Sequence, residues 1–261
     1  MSETLSWTTY VDTKAQTEHD RLMLLQEVFD PFSARLLDQA GVAPGWRCLE
    51  VGAGAGSVAR MLADRAGAAN VTATDMSTHF LAPLAESGIR VLHHDVVADD
   101  QPGEFDVIHS RFVLEHITRR DETIRRMASW LRPGGVLIVE CGTPIPELSS
   151  DPAVRQGLTA LATLMARSVG TDPVWARTLP VPLEDAGLVE CTAEGHIIPV
   201  RGGGALARWL TATHRLIEEP ALASGVVSQE ELADAYARYA DPAFVDYTWL
   251  TIGAFGRRPA L

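Results

Sequence analysis

The stretch Cys48-Leu49-Glu50-Val51-Gly52-Ala53-Gly54-Ala55-Gly56-Ser57 constrains this chain more than any other. An apolar run ends in an acid, turns through alternating glycines, and enters a helix-like segment, Val58–Ala66. Glycine frees the backbone to turn sharply and, lacking Cβ, lets a ligand approach the main chain. In open α/β sheets such strand-to-helix turns are where ligands bind. The register selects among ligands. A dinucleotide site wants G-x-G-x-x-G, but the third glycine arrives one residue early and Ser57 takes its place. Glu50, two positions before the turn, is a poor neighbour for a pyrophosphate. No Gly-Lys-Ser/Thr follows, so a P-loop is excluded.

The remaining chain supports an α/β architecture. Residues 1–45 read as helices with polar joints: Leu22, Leu25, Val28 and Phe29 recur at helical spacing, and Leu36-Leu37 follow Pro31. Strand Trp46–Val51 then opens an alternation. Helix Val58–Ala66, strand Val71–Thr74, helix Ser77–Ala85 and strand Ile89–His93 lead to strand Phe105–His109, helix Arg119–Leu131 and strand Val136–Cys141. Short, nearly continuous apolar strands between helices imply a parallel sheet covered on both faces. After Cys141 the alternation breaks: Gly142–Asp151 is rich in proline and serine, and Val154–Val169 is helical. A short helix end at Leu183–Ala186, strand Leu188–Ile198, helices Ala205–Glu218 and Glu230–Tyr239 and strand Phe244–Phe255 follow. The expectation is a single domain over 1–261. It has a helical cover (1–45), a cofactor-binding core (46–141), a helical lid insertion (142–180) and a C-terminal part completing the sheet (181–261).

Glu50-Val51-Gly52-Ala53-Gly54-Ala55-Gly56 resembles motif I of the class I S-adenosylmethionine-dependent methyltransferases. The resemblance spans residues 46–141 by motif and 188–256 by strand pattern. It implies a Rossmann-like, doubly wound, mostly parallel seven-stranded sheet with helical lid segments. It also implies S-adenosyl-L-methionine as cofactor and S-adenosyl-L-homocysteine as product. Glu50, Gly52, Ala53 and Gly54 would then cradle the methionyl part. Asp75, followed by Met76, closes the second strand, where an ionised carboxylate suits two ribose hydroxyl donors. Its alternative role is the N-cap of Ser77–Ala85. Asp95 and the Val96 amide match the position facing adenine.

Phe105-Asp106-Val107-Ile108-His109-Ser110-Arg111-Phe112-Val113-Leu114-Glu115-His116 resembles the family's fourth strand and the turn after it, which lies near the transferred methyl group. This stretch has neither the Pro-Pro-Tyr/Phe of exocyclic-amine enzymes nor the Pro-Cys of cytosine C5 enzymes. The double-glutamate loop of arginine methyltransferases is not recognisable either. The resemblance is therefore to the small-molecule, natural-product group. His116 is the candidate general base, since imidazole accepts protons near neutral pH; its bland alternative is a packing histidine. Ser110 and Arg111 are cofactor candidates, with a structural ion pair as the other reading of Arg111. Tyr10, His19 and Arg21 lie in a leading segment that folds over the cofactor in many relatives. Arg21 could pair with the cofactor carboxylate.

Composition narrows the partners. A net charge of −12 argues against a nucleic-acid partner, which calls for a basic face. Lys14 is the only lysine among 22 basic residues, a coding bias of GC-rich bacteria. No apolar run approaches the roughly 18 residues of a membrane helix, and no secretory leader is recognisable. Cys48, Cys141 and Cys191 read as buried thiols of a cytoplasmic protein. His93 and His94, adjacent on a strand, point to opposite faces, and no metal is expected. Trp175 is a candidate for substrate stacking, and Arg201-Gly202-Gly203-Gly204 reads as a joint. The expected protein is a monomeric or homodimeric enzyme that methylates an N, O or C nucleophile of a small, partly aromatic metabolite. A quinone or sterol methyltransferase, a nicotinamide oxidoreductase and a non-enzymatic S-adenosylmethionine-binding regulator are the alternatives.

Overall fold

Strand burial decides the architecture. The four residues of β1 (Cys48–Val51) are all buried, as are most of β2 (Val71–Asp75), β4 (Phe105–Arg111) and β5 (Leu131–Pro144). Strands buried on both faces need helices on either side. In this computed structural model, which describes residues 15–168 and 170–260, they form a seven-stranded, mostly parallel sheet flanked by helices. With β3 (Arg90–His93), β6 (Val189–Ile197) and β9 (Trp249–Arg257), the strand order is β3-β2-β1-β4-β5-β9-β6. β1 pairs in parallel with both β2 and β4, and the order reverses there. Such a reversal opens a crevice at the carboxyl ends of the strands.

The chain forms two compact units. Among the described residues, one comprises 29–141, 176–195 and 252–260; the other comprises 15–28, 142–168, 170–175 and 196–251. In the first, the second half of α1 (Ala15–Gln39) and α2 (Ser57–Ala66) pack on one sheet face. Phe32, Leu36, Leu37, Val58 and Leu62 meet Cys48, Ala73, Val107 and Ile138 there, all nearly inaccessible to water. Fully burying each of the Phe, Leu, Val and Ile side chains among these contributes about 1.5–3 kcal/mol. α3 (Ala82–Glu86), α4 (Arg120–Trp130) and α6 (Val181–Asp185) complete the helices of this unit.

The second unit is mainly helical. α5 (Pro152–Ser168), α7 (Ala205–Leu216), α8 (Glu218–Ala223) and α9 (Gln229–Ala240) share a core of Leu161, Leu164, Leu216, Val227 and Leu232. A reciprocal pair of bonds starts α9: Ser228 Oγ accepts from Glu231 N at 3.2 Å, and Glu231 Oε2 accepts from Ser228 N at 2.7 Å. A two-stranded antiparallel pair, β7 (Val200–Arg201) with β8 (Val245–Asp246), flanks the glycine run. Gly202 is a packing position, because a Cβ there would lie 1.8 Å from the Asp241 carbonyl oxygen.

Several elements differ from their sequence expectation. β5 begins early, at Leu131 rather than Val136, and the helix expected over Ala205–Glu218 is two, α7 and α8. α1 runs unbroken through Pro31. Pro31 removes one donor from the helix ladder, but Phe29, Phe32, Leu36 and Leu37 are almost fully buried around it and hold the helix together. The helix expected at Ser77–Ala85 shrinks to Ala82–Glu86, since Asp75 draws Ser77 into a local turn. The strand expected over Phe244–Phe255 is split into β8 and β9.

Candidate active site

The site residues come from the carboxyl ends of β1, β2, β3 and β4. After β1 the chain turns through Gly52 at φ 73°, Gly54 at φ 56° and Gly56 at φ 83°. A side chain is strained in this left-handed region. At Gly52 there is also no room, because a Cβ would meet Val113 Cγ2 at 2.2 Å. The turn is strapped to β2: Gly52 N and Ala53 N both donate to the Thr74 carbonyl at 2.9 Å, and Gly54 N donates to Asp75 Oδ2 at 2.8 Å. Thr74 Oγ1 returns a bond of 2.9 Å to the Glu50 carbonyl.

Asp75 thus holds the turn with one oxygen and the Ser77 amide with the other, at 2.9 Å. α3 begins only at Ala82, so Asp75 is not its cap. Met76, the next residue, is exposed. Asp95, just past β3, accepts from Val97 N at 2.8 Å, and Val96 is buried. β3 lies beside β2 with His93 opposite Asp75, so the two carboxylates stand at adjacent strand ends. His94 is buried and its Nε2 lies 3.0 Å from the Asp100 carbonyl, whereas His93 is exposed.

β4 ends in a distorted exit. Ser110 is buried, and its hydroxyl has no hydrogen-bond partner among the described residues. Phe112 follows at φ 55°, its ring packed edge-on against Phe29 at 4.8 Å. A non-glycine residue in that region costs about 1–3 kcal/mol and is a feature of functional sites. His116 closes the short turn Leu114–His116 and is partly buried.

Arg111 is turned into the protein. Its guanidinium donates to Asp30 Oδ1 at 3.0 Å, Ser33 Oγ at 2.7 Å and Ser57 Oγ at 3.1 Å, while Ser57 Oγ donates to Asp30 at 2.8 Å. Arg21, in the other unit, forms a buried two-pronged pair with Glu18 at 2.8 and 2.7 Å. His19 is partly exposed. Tyr10 lies outside the described residues. Trp175 is buried.

Sequence reading passed over one cluster. Glu50 and His109 are register partners across β1 and β4, and Ile138 on β5 is opposite His109. Side chains alternate along strands, so Glu50, His109 and Glu140 share a face. His109 Nδ1 lies 2.7 Å from Glu50 Oε2, and Nε2 lies 2.6 Å from Glu140 Oε1. Burial disfavours the charged ring, but the two carboxylates outweigh it and push the His109 pKa up to about 9. Burial pushes the Glu50 carboxyl up, opposed by His109 and Arg111. The available signal was a charged residue inside each of two apolar runs, Val107-Ile108-His109 and Ile138-Val139-Glu140.

These residues fit an adenosine-bearing cation. The turn presents bare backbone, and two adjacent strand ends present carboxylates that can accept from hydroxyl and amine donors. No phosphate-binding lysine lies in the turn. Residues 49–137 match the family described as a methyltransferase domain. This match supports a class I methyltransferase, an enzyme that uses S-adenosylmethionine.

Methyltransferase str2 of Strobilurus tenacellus is 29% identical over 188 residues, covering 70% of this chain and 68% of that protein. The YcgJ protein of Bacillus subtilis superposes with a TM-score of 0.60 at 15% identity, over 88% of this chain and 99% of that one. Phosphoethanolamine N-methyltransferase 2 of Haemonchus contortus, solved with phosphomonomethylethanolamine and S-adenosylhomocysteine, superposes with a TM-score of 0.61 at 16% identity. That match covers 99% of this chain and 61% of the other. At such identities the two structures speak for the fold alone.

Proposed function

We propose that this enzyme methylates an N, O or C nucleophile of a small, partly aromatic metabolite by in-line displacement. The exit of β4 carries the reading. Ser110-Arg111-Phe112-Val113 stands where the resembled exocyclic-amine and glutamine methyltransferases carry Pro-Pro-Tyr/Phe and cytosine C5 enzymes their Pro-Cys nucleophile. Phe112, held at positive φ against Phe29, puts an aromatic ring beside that exit. The net charge of −12 adds to the case against a nucleic-acid acceptor.

S-adenosylmethionine supplies a methyl group already activated by its sulfonium. The protein's own work is therefore orientation and exclusion of water. Orientation is worth up to about 7–11 kcal/mol for well-aligned partners. The Gly52–Gly54 backbone and Glu50 would hold the methionyl part, Asp75 the ribose, and Asp95 with the Val96 amide the adenine. His116 would take the acceptor's proton where the acceptor is a hydroxyl. The family match, 49–137, lies wholly within one compact unit. Acceptor choice is accordingly assigned to sequence outside that match.

Methyl transfer from isotope-labelled S-adenosylmethionine to panels of phenols, amines, carboxylic acids, oligonucleotides and peptides tests the reading. Label is expected in a small-molecule arm. Transfer confined to oligonucleotides or peptides would contradict it.

A further inference from the structure

The buried cluster Glu50–His109–Glu140 adjoins the cofactor turn, and two of its members, His109 and Glu140, have no part in the functional assignment above. We propose that His109 is a positioning residue. Clamped between Glu50 and Glu140, it fixes the Glu50 carboxylate behind Gly52–Gly54 so that the turn favours a ligand whose amino-acid part is cationic. The inference deepens the proposed function and rests on that reading of the turn.

Geometry carries it. Both ring nitrogens are within 2.7 Å of carboxylate oxygens, and all three side chains are almost wholly inaccessible to water. A neutral imidazole has one N–H and can donate to only one carboxylate. Two short contacts to two ionised carboxylates call for the imidazolium, with both N–H groups donating. A neutral ring would need one carboxyl protonated to donate to its bare nitrogen, and the two carboxylates that push the His109 pKa up favour the imidazolium. A residue that merely filled space would be apolar, like Val107 and Cys48, which lie on the same face two residues earlier.

The surrounding charges fit the same purpose. From its own strand, Arg111 faces the cluster, and it is matched by Asp30 of α1 at 3.0 Å. α2 contributes the uncharged Ser57. Arg111 and Asp30 cancel, so an ionised cluster keeps one net negative charge from two carboxylates and one imidazolium. Glu140 Oε2 has no hydrogen-bond partner among the described residues, so on β5 the clamp rests on Oε1. Without the imidazolium, burial would favour a protonated, neutral Glu50, and the turn would lose its attraction for a cation.

The test uses the full chain in two ways. First, 15N-histidine NMR of the wild type reads the His109 ring directly. Second, calorimetry compares S-adenosylmethionine with adenosine, which lacks the amino-acid part, for wild type, His109→Gln and Glu140→Gln. The inference expects a doubly protonated ring at pH 7. It also expects both variants to lose tenfold or more in S-adenosylmethionine affinity while adenosine stays within about twofold. A ring neutral at pH 7 overturns it, and so does an equal loss, or no loss, for the two ligands. If His109→Gln does not fold, the wild-type ring and Glu140→Gln decide. A wild type that binds neither ligand would instead bring down the reading of the turn itself.

Discussion

The Asp75 carboxylate and the Gly54 amide meet at 2.8 Å, tying the end of β2 to the glycine turn after β1. A single side chain therefore shapes the turn and stands beside the position assigned to the ribose.

Asp75→Ala should weaken S-adenosylmethionine binding by roughly tenfold to a hundredfold. A hydrogen bond to a charged group contributes about 1.5–3 kcal/mol. Calorimetry measures the loss, and circular dichroism should show the fold retained. Normal affinity with a much lower melting temperature would assign Asp75 to shaping the turn alone.

Arg111→Met should act on stability first. It leaves Asp30, Ser33 and Ser57 without the guanidinium that joins them. A loss of about 1–3 kcal/mol is expected, read from urea denaturation. An unchanged unfolding midpoint with lost cofactor affinity would favour a direct role on the ligand.

The protonated His109 ring makes stability depend on pH. Its pKa is about 9 in the folded protein, against 6.5 ordinarily. The ring's contribution is therefore fully present below about pH 6.5 and is lost as pH rises through about 9. The amount is on the order of 1–3 kcal/mol. Urea unfolding at pH 6, 7.5 and 9 should show wild type losing this margin and His109→Gln losing much less. Parallel curves would contradict the assignment.

His116→Ala should lower single-turnover methyl transfer by roughly 10²–10⁴-fold if the acceptor must shed a proton. Cofactor affinity should hardly change, and the rising limb of the pH profile near the imidazole pKa should disappear. A near-wild-type rate would move the search for a proton acceptor to other residues at the β4 exit.

Much of this was legible in the sequence. The turn Gly52–Gly56 and the apolar runs at Cys48, Val71, Val107 and Val136 marked a parallel sheet, because backbone freedom and two-sided burial leave local signatures. Asp75 and Asp95 were legible as candidates because one closes β2 and the other follows just after β3, where apolar runs stop. His109 and Glu140 were not, for their partnership exists only when β1, β4 and β5 lie side by side in one register. The continuous α1 was hidden by Pro31, whose local preference is overridden by the packing of Phe32 and Leu36. The partners of Arg111 were equally hidden, since Asp30, Ser33 and Ser57 come from two helices that only the fold brings together.

Calorimetry on the glycine turn tests the central claim most directly. The wild type should bind S-adenosylmethionine and S-adenosylhomocysteine but not NAD. Gly54→Val should bind none of the three, because a branched side chain at φ 56° strains the turn and occupies the ligand's approach. Tight NAD binding by the wild type, or undiminished S-adenosylmethionine binding by Gly54→Val, would contradict the account.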